Sequence, residues 1–200
     1  MREALRQLND GEYWVYGPSV YEFDNVVELV QKYSEYADAC IERMVSGSEV
    51  PPEFEEAHAE VSSDLRYYNF IEKGLLWSFA LWRIQGMFEA LMVSHYLPHK
   101  PPKPLIGLRS KLTAIEAAGY TLSSEQDAEL ISWGTLRNLL SHMPPEHHRP
   151  IAVDREDIEE YVALLKAVCA LWSEQRPRIC CESSNLAFER DSPEAGCTSI

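Results

Sequence analysis

Apolar residues recur at intervals of three and four along most of the chain, and prolines or glycines fall between the apolar runs. Because an α-helix turns by about 100° per residue, such spacing gathers apolar side chains on one helical face. Alternation of apolar and polar residues, which marks a half-buried strand, is nearly absent. The pattern therefore predicts an all-α protein, an antiparallel bundle of about five helices.

Cap residues and prolines set the limits of the first two predicted helices. Ser19 with Glu22 forms a capping box, and the helix that it opens should stop at Gly47. The second helical run, residues 52–98, has no proline in its interior. Since such a run is too long for one ordinary globular helix, we expect a kink or break at residues 69–74.

Glycines, serines and prolines delimit the third and fourth predicted helices. The third should cover residues 107–118 and end at Gly119. The fourth should begin after Ser123 or Ser124 and stop before Pro144, because proline cannot continue the backbone hydrogen bonding of a helix.

The fifth predicted helix opens at Asp154, with Asp157 three residues later to complete the cap. Its large apolar residues share one face: Ile158, Tyr161, Val162, Leu165, Val168 and Trp172. The sequence then turns polar, whereas the 200 residues as a whole are 46% apolar and can bury one core. We therefore expect a single domain over residues 1–178 and a flexible tail at 179–200.

The net charge of −14 argues against a protein that wraps nucleic acid, but the acids are unevenly distributed. Residues 1–60 and 151–200 are acidic, whereas residues 61–150 hold nearly equal numbers of acids and bases. No acid occurs between Glu89 and Glu116, and four bases lie there: Lys100, Lys103, Arg109 and Lys111. These four are candidates for binding RNA phosphates, although solvated lysines around a proline-rich loop give the same pattern.

Features of secreted and membrane proteins are missing from the sequence. No basic segment followed by an apolar run opens the chain, and polar residues interrupt the most apolar stretch, residues 74–97. The five cysteines include no CxxC pair, so we expect neither a disulfide framework nor a zinc site. These observations predict a soluble cytoplasmic protein with reduced thiols, in which Cys40 and Cys169 are small core residues.

His95 and His99 have the four-residue spacing of metal ligands. Pro98 interrupts the helix that would align them, and no cysteine or acidic cluster joins them. We therefore expect neither a metal ion nor another cofactor.

The stretch RNLLSHMPP, residues 137–145, ends the fourth predicted helix. The face expected to meet the core carries Trp133, Leu136, Leu139, Leu140 and Met143. Asn138 and His142 share a face with Ile131, roughly opposite that core. Arg137 lies on the flank of the core face, about 140° from His142. Because residues so far apart do not converge from one regular helix, a weakened last turn or a second copy of the helix must bring them together.

The residue types in this stretch suit the cleavage of RNA by its own 2′-hydroxyl group. The reaction needs proton transfer near neutral pH, which His142 would supply, and a cation on the phosphate, which Arg137 would supply. Asn138 would hold the phosphate or orient the histidine. Because residues 130–145 include no carboxylate, a two-metal mechanism would lack its ligands there.

Arg137, Asn138 and His142 resemble the motif of HEPN ribonucleases, in which an arginine, often followed by a polar residue, precedes a histidine by a short gap near a helix end. The helical order over residues 60–174, somewhat over half of the chain, is similar to the HEPN bundle. The resemblance implies a metal-independent endoribonuclease of the toxin or defence type. It also implies a homodimer in which two motifs face one another and form one composite site.

The resemblance further implies an RNA substrate and an antitoxin or nucleotidyltransferase as partner. HEPN toxins that a nucleotidyltransferase modifies carry a tyrosine two residues after the histidine, and this chain has Pro144 there instead. Other interpretations stay open: Arg137 in an ion pair, His142 as a helix cap, or a non-catalytic HEPN-like bundle that binds a partner protein or a nucleotide. The aromatic stretch at residues 75–88 is expected in the core or a dimer interface rather than under RNA bases.

Overall fold

The computed structural model describes residues 19–46, 50–97, 104–142 and 153–175, and these ranges form five α-helices without any β-strand. The helices are α1 (Tyr21–Ser46), α2 (Glu55–Leu91), α3 (Gly107–Ala117), α4 (Ser124–Ser141) and α5 (Arg155–Gln175). In those ranges, no helix combines the length and the apolar content that a membrane span requires. The predicted all-α bundle is confirmed, whereas the end of the first helix at Gly47 and the tail at 179–200 lie outside the described residues.

Local cap signals end or begin α3, α4 and α5 where the sequence predicts them. The Ser123 hydroxyl accepts a hydrogen bond from the Gln126 N–H, and the Gln126 side chain accepts one from the Ser123 N–H. Asp154 and Asp157 exchange the same pair of bonds at the start of α5. Gly119 follows α3 with a φ of 96°, a conformation that residues with a Cβ adopt only at a cost.

α2 continues without a break through residues 69–74, so the expected interruption there is wrong. The reason is α1, which packs antiparallel against α2. The Asp38 carboxylate on α1 accepts hydrogen bonds from the Lys73 ammonium at 2.8 Å and from the Asn69 amide at 2.6 Å. The Lys73 bond is the main reason why the pKa of Asp38 lies below its ordinary value. Such contacts between helices stabilise a length that helix propensity alone would not.

Gly74→Ala is expected to stabilise the protein by about 0.5–1 kcal/mol, because Gly74 lies inside α2 and an added Cβ would meet no atom within 4 Å. The same substitution at Gly119, with its φ of 96°, is expected to destabilise it by about 1–2 kcal/mol. Urea denaturation measures both changes in the free energy of unfolding. A destabilised Gly74→Ala variant would mean that α2 is interrupted at this residue in solution.

Aromatic side chains dominate the core between α2 and α5. Phe88 stacks on Trp172 with ring centroids 5.9 Å apart, and Tyr96 meets the same indole edge-on at 5.2 Å. Every member of the predicted apolar face of α5 is buried. Cys169 is a buried core residue as predicted, and burial raises the pKa of its thiol to about 11. Cys40 is only half-buried.

Candidate active site

α4 packs against the bundle through a row of residues that ends at Arg137. Leu130 is fully buried, and Gly134, one turn later, is buried as well. A Cβ added at Gly134 would lie 3.0 Å from Leu108 Cδ2 on α3 and 3.7 Å from Gln85 Nε2 on α2. Because glycine has no side chain, the α4 backbone can approach both neighbouring helices closely.

The face of α4 that packs on the core is therefore rotated from the predicted one. The predicted core residues are less buried than Leu130: Trp133, Leu136 and Leu140 are half-buried, and Leu139 is 40% exposed. Met143 lies outside the described residues. The close approach at Gly134 turns the row of Leu130, Gly134 and Arg137 toward the neighbouring helices. Arg137 therefore belongs to the packed row of α4 rather than to its flank. This corrects the position of Arg137 predicted from the sequence.

Arg137 is half-buried, and two contacts orient its guanidinium group. Its Nη1 donates a hydrogen bond to Asn138 Oδ1 at 2.9 Å, and its Cζ lies 5.8 Å from the ring centroid of Trp82 on α2. Nε is buried and has no hydrogen-bond partner among the described residues. No acid in the described ranges forms an ion pair with this arginine. The guanidinium is thus fixed in direction but carries an unused donor and an uncompensated charge.

Arg137 and Asn138 line a groove of about 470 Å³ between α2, α3 and α4. This volume lies in the range typical of small-ligand sites. The other lining residues are Gln85, Glu89, Ile106, Gly107, Leu108, Arg109, Ile131, Gly134 and Thr135. The groove therefore combines two arginines with amide, hydroxyl and carboxylate groups, which are the side chains that bind polar ligands.

Of the two described basic residues among the four predicted to bind RNA, only Arg109 lies at the groove with its charge available. Arg109 lines the groove. Lys111 instead forms an ion pair with Glu89 of α2, in which the two side chains are only 14% and 15% exposed. Lys100 and Lys103 lie outside the described residues. Lys111 is therefore paired with an acid from a different helix, distant in sequence, and its binding of RNA stays a prediction.

His142 is the residue at which α4 gives way to non-helical backbone. α4 ends at Ser141, and His142 follows with φ and ψ of −127° and 28°, outside helical geometry. Its backbone N–H donates to the Asn138 carbonyl at 3.0 Å, while its exposed imidazole makes no hydrogen bond to any described residue. His142 is absent from the residues that line the groove. Within one chain the structure thus joins Arg137 to Asn138 but not to His142.

Three side chains beneath the groove were not identified from the sequence as site residues. Gln85 is 2% exposed and donates to Glu89 at 3.0 Å, while its Oε1 has no partner among the described residues. Burial raises the pKa of Tyr161 on α5, with the Glu89 charge adding to the effect and Arg137 opposing it. The available signal is a pair of polar residues four apart, Gln85 and Glu89, inside the apolar stretch at 74–97.

The described residues contain no group of three histidine, cysteine or acidic side chains placed to hold a metal ion. His95 lies in the turn after α2, and its candidate partner His99 is outside the described residues. Comparisons of this chain with protein-family models, with curated proteins and with solved structures find no match.

Proposed function

We propose that this bundle is an endoribonuclease of the HEPN type, acting as a toxin or in defence, and that it cleaves RNA without a metal ion. The Arg137 guanidinium carries the proposal. It lies in an open groove with a fixed direction, an unused donor and no acidic partner in the described ranges. A planar cation in this state suits a phosphate, whose oxygens accept two parallel hydrogen bonds.

The environment of Arg137 favours its movement toward a bound anion. A buried donor without a partner costs about 1–3 kcal/mol, and Nε of Arg137 is such a donor among the described residues. A phosphate that draws the guanidinium into the groove removes that cost. Trp82 and Asn138 limit how far the group can turn, so little reorganisation remains for the reaction itself.

The proposed reaction is an internal transfer at phosphorus. The 2′-hydroxyl oxygen forms a bond to the adjacent phosphorus, and the bond from phosphorus to the 5′-oxygen breaks. The His142 imidazole accepts the proton of the 2′-hydroxyl, and the protonated imidazole returns a proton to the departing 5′-oxygen. Arg137 stabilises the charge on the remaining phosphate oxygens. The products are a 2′,3′-cyclic phosphate and a 5′-hydroxyl.

A second copy of the chain would complete the site. His142 lies outside the groove of its own chain, and its exposed imidazole makes no hydrogen bond to a described residue. Asn138 is also exposed, and Ile131, on the same side of α4, is half-buried at the groove. A homodimer that joins these exposed ends of α4 would supply the histidine of one copy to the arginine of the other.

RNA cleavage by the purified chain is expected to persist in excess EDTA, because the proposed chemistry uses only side chains. Cleavage is expected to fail on DNA and on RNA with a 2′-O-methyl group at the scissile position, since both lack the attacking hydroxyl. Product ends can be identified by phosphatase and kinase treatment of end-labelled oligonucleotides.

Two outcomes would count against this chemistry. Cleavage that EDTA abolishes would indicate an activated water on a metal ion, as would a product with a 5′-phosphate. A wild-type chain that binds RNA oligonucleotides but cleaves none of them would support the alternative, a non-catalytic HEPN-like binding module.

A further inference from the structure

α2 carries a second apolar face in addition to the one that packs in the core. The core side includes Trp77, Leu81, Ile84 and Phe88, all of which are buried. The opposite side carries five large exposed residues at spacings of three and four: Tyr68 (63% exposed), Ile71 (38%), Leu75 (57%), Phe79 (62%) and Trp82 (41%). We call these five residues the α2 stripe. Scattered apolar residues are normal on protein surfaces, but a continuous helical row of this kind marks a contact surface.

We propose that the α2 stripe is the interface between two copies of this chain, packed antiparallel about a two-fold axis near Trp77. Rotation by 180° about this axis sets Leu75 of each copy against Phe79 of the other. It also sets Tyr68 over Gly86, an exposed glycine whose added Cβ would meet nothing within 4 Å. A large side chain thus faces an open position at each end of the interface.

Charges beside the stripe support the same antiparallel arrangement. Glu72 and Arg83 are both exposed, and they lie on one flank of the stripe, at about 40° and about 60° from Tyr68 around the helix. The two-fold axis keeps each flank on its own side and reverses the helix direction, so Glu72 of one copy lies beside Arg83 of the other. A parallel two-fold would put these charges on opposite flanks. Only the antiparallel pairing of identical helices gives two complementary ion pairs.

The α2 stripe also connects directly to the candidate site. Trp82, its last member, lies under the Arg137 guanidinium, and Gln85 of the groove lies on the flank opposite to Glu72 and Arg83. Because the two-fold axis preserves the flanks, the grooves of both copies open on one side of the interface. The dimer is inferred from the stripe itself and does not depend on RNA cleavage.

Sedimentation equilibrium of the full chain is expected to show a dimer, and Leu75→Arg is expected to raise its dissociation constant by about 100-fold or more. The large effect is expected because the two-fold axis places the substitution in the interface twice. Leu29→Arg on α1 is the matched control, since Leu29 is also a mid-helix leucine and is 55% exposed against 57% for Leu75. The control is expected to leave the dissociation constant unchanged. Circular dichroism checks that both variants remain helical.

A charge exchange tests the antiparallel pairing itself. Glu72→Arg and Arg83→Glu are each expected to weaken the dimer by about 5-fold, and the double variant is expected to restore it. A wild-type monomer would overturn the proposal, including the case in which a segment of the same chain covers the stripe. A dimer lost with Leu29→Arg but kept with Leu75→Arg would do so too. A dimer that cleaves no RNA would support this interface while contradicting the proposed function, and a monomer that cleaves RNA would contradict both this interface and the composite site.

Discussion

Arg137→Ala and His142→Ala are each expected to lower the rate of RNA cleavage by about 10²–10³-fold. The first removes the cation that stabilises the transferring phosphate, and the second removes the proton-transfer group. Arg155→Ala and His95→Ala are suitable controls, since both residues are exposed and neither lines the groove. The controls are expected to retain full activity, as measured by initial rates on a labelled oligonucleotide.

An equimolar mixture of the two inactive variants is expected to recover about one quarter of wild-type activity. After subunit exchange half of the dimers contain one variant of each kind, and in these dimers one of the two symmetry-related pairs of Arg137 and His142 is intact. A mixture that stays inactive although subunits exchange would mean that each site takes both residues from one chain.

Arg137 also packs on its surroundings, so its removal needs a test of stability. Loss of the contact with the Trp82 ring is expected to cost about 0.5–1 kcal/mol. Such a change is too small to explain inactivity through unfolding. Arg137→Lys keeps the charge but not the planar fork, and we expect it to recover only part of the activity.

Phe88→Ala is expected to destabilise the protein by about 3–5 kcal/mol, the largest stability change among the substitutions discussed. Phe88 is completely buried and stacks on Trp172, so truncation removes apolar contacts and leaves a cavity between α2 and α5. Phe70→Ala is the matched control on the same helix, outside the α2 stripe, because Phe70 is 56% exposed. Urea denaturation of the control is expected to differ from wild type by less than about 0.5 kcal/mol.

Equal losses in the two variants would contradict the difference in burial between Phe70 and Phe88. That result would mean that Phe70 is covered in solution, since an exposed phenyl ring has few contacts to lose. A loss at Phe70 alone would contradict the burial of Phe88 between α2 and α5.

Sequence reasoning succeeded where the signal is local. The caps at Ser123 and Asp154 and the end of α3 at Gly119 depend on residues within one turn, and the structure confirms them. The apolar face of α5 was also predicted, because periodicity of a single helix defines it. The continuity of α2 was not predicted. It is supported by the contact of Lys73 with Asp38, which lies 35 residues away in the sequence.

The candidate site shows the same difference between local signals and contacts that join residues distant in the sequence. That Arg137 and Asn138 lie together could be read from the sequence, because they are neighbours on one helix. The pairing of Lys111 with Glu89 depends on how α2 and α3 pack, and the position of His142 depends on where α4 ends. The orientation of α4 depends on Gly134, and a glycine contributes nothing to a hydrophobic pattern. The spacing of apolar residues therefore could not predict the rotation of α4.

Gly134 lies outside the RNLLSH motif but affects the position of Arg137 within it. A Cβ at this position would lie 3.0 Å from Leu108 Cδ2, so the Leu108 side chain would have to give way, and a larger side chain would press α4 away from α3. Arg137, one turn further along, would move with the helix and lose its place over Trp82. The position of the Arg137 guanidinium thus depends on the absence of a side chain at Gly134 as well as on its contacts with Asn138 and Trp82. During evolution, one mutation at Gly134 would change the position of the Arg137 guanidinium group while every residue of RNLLSH stayed the same.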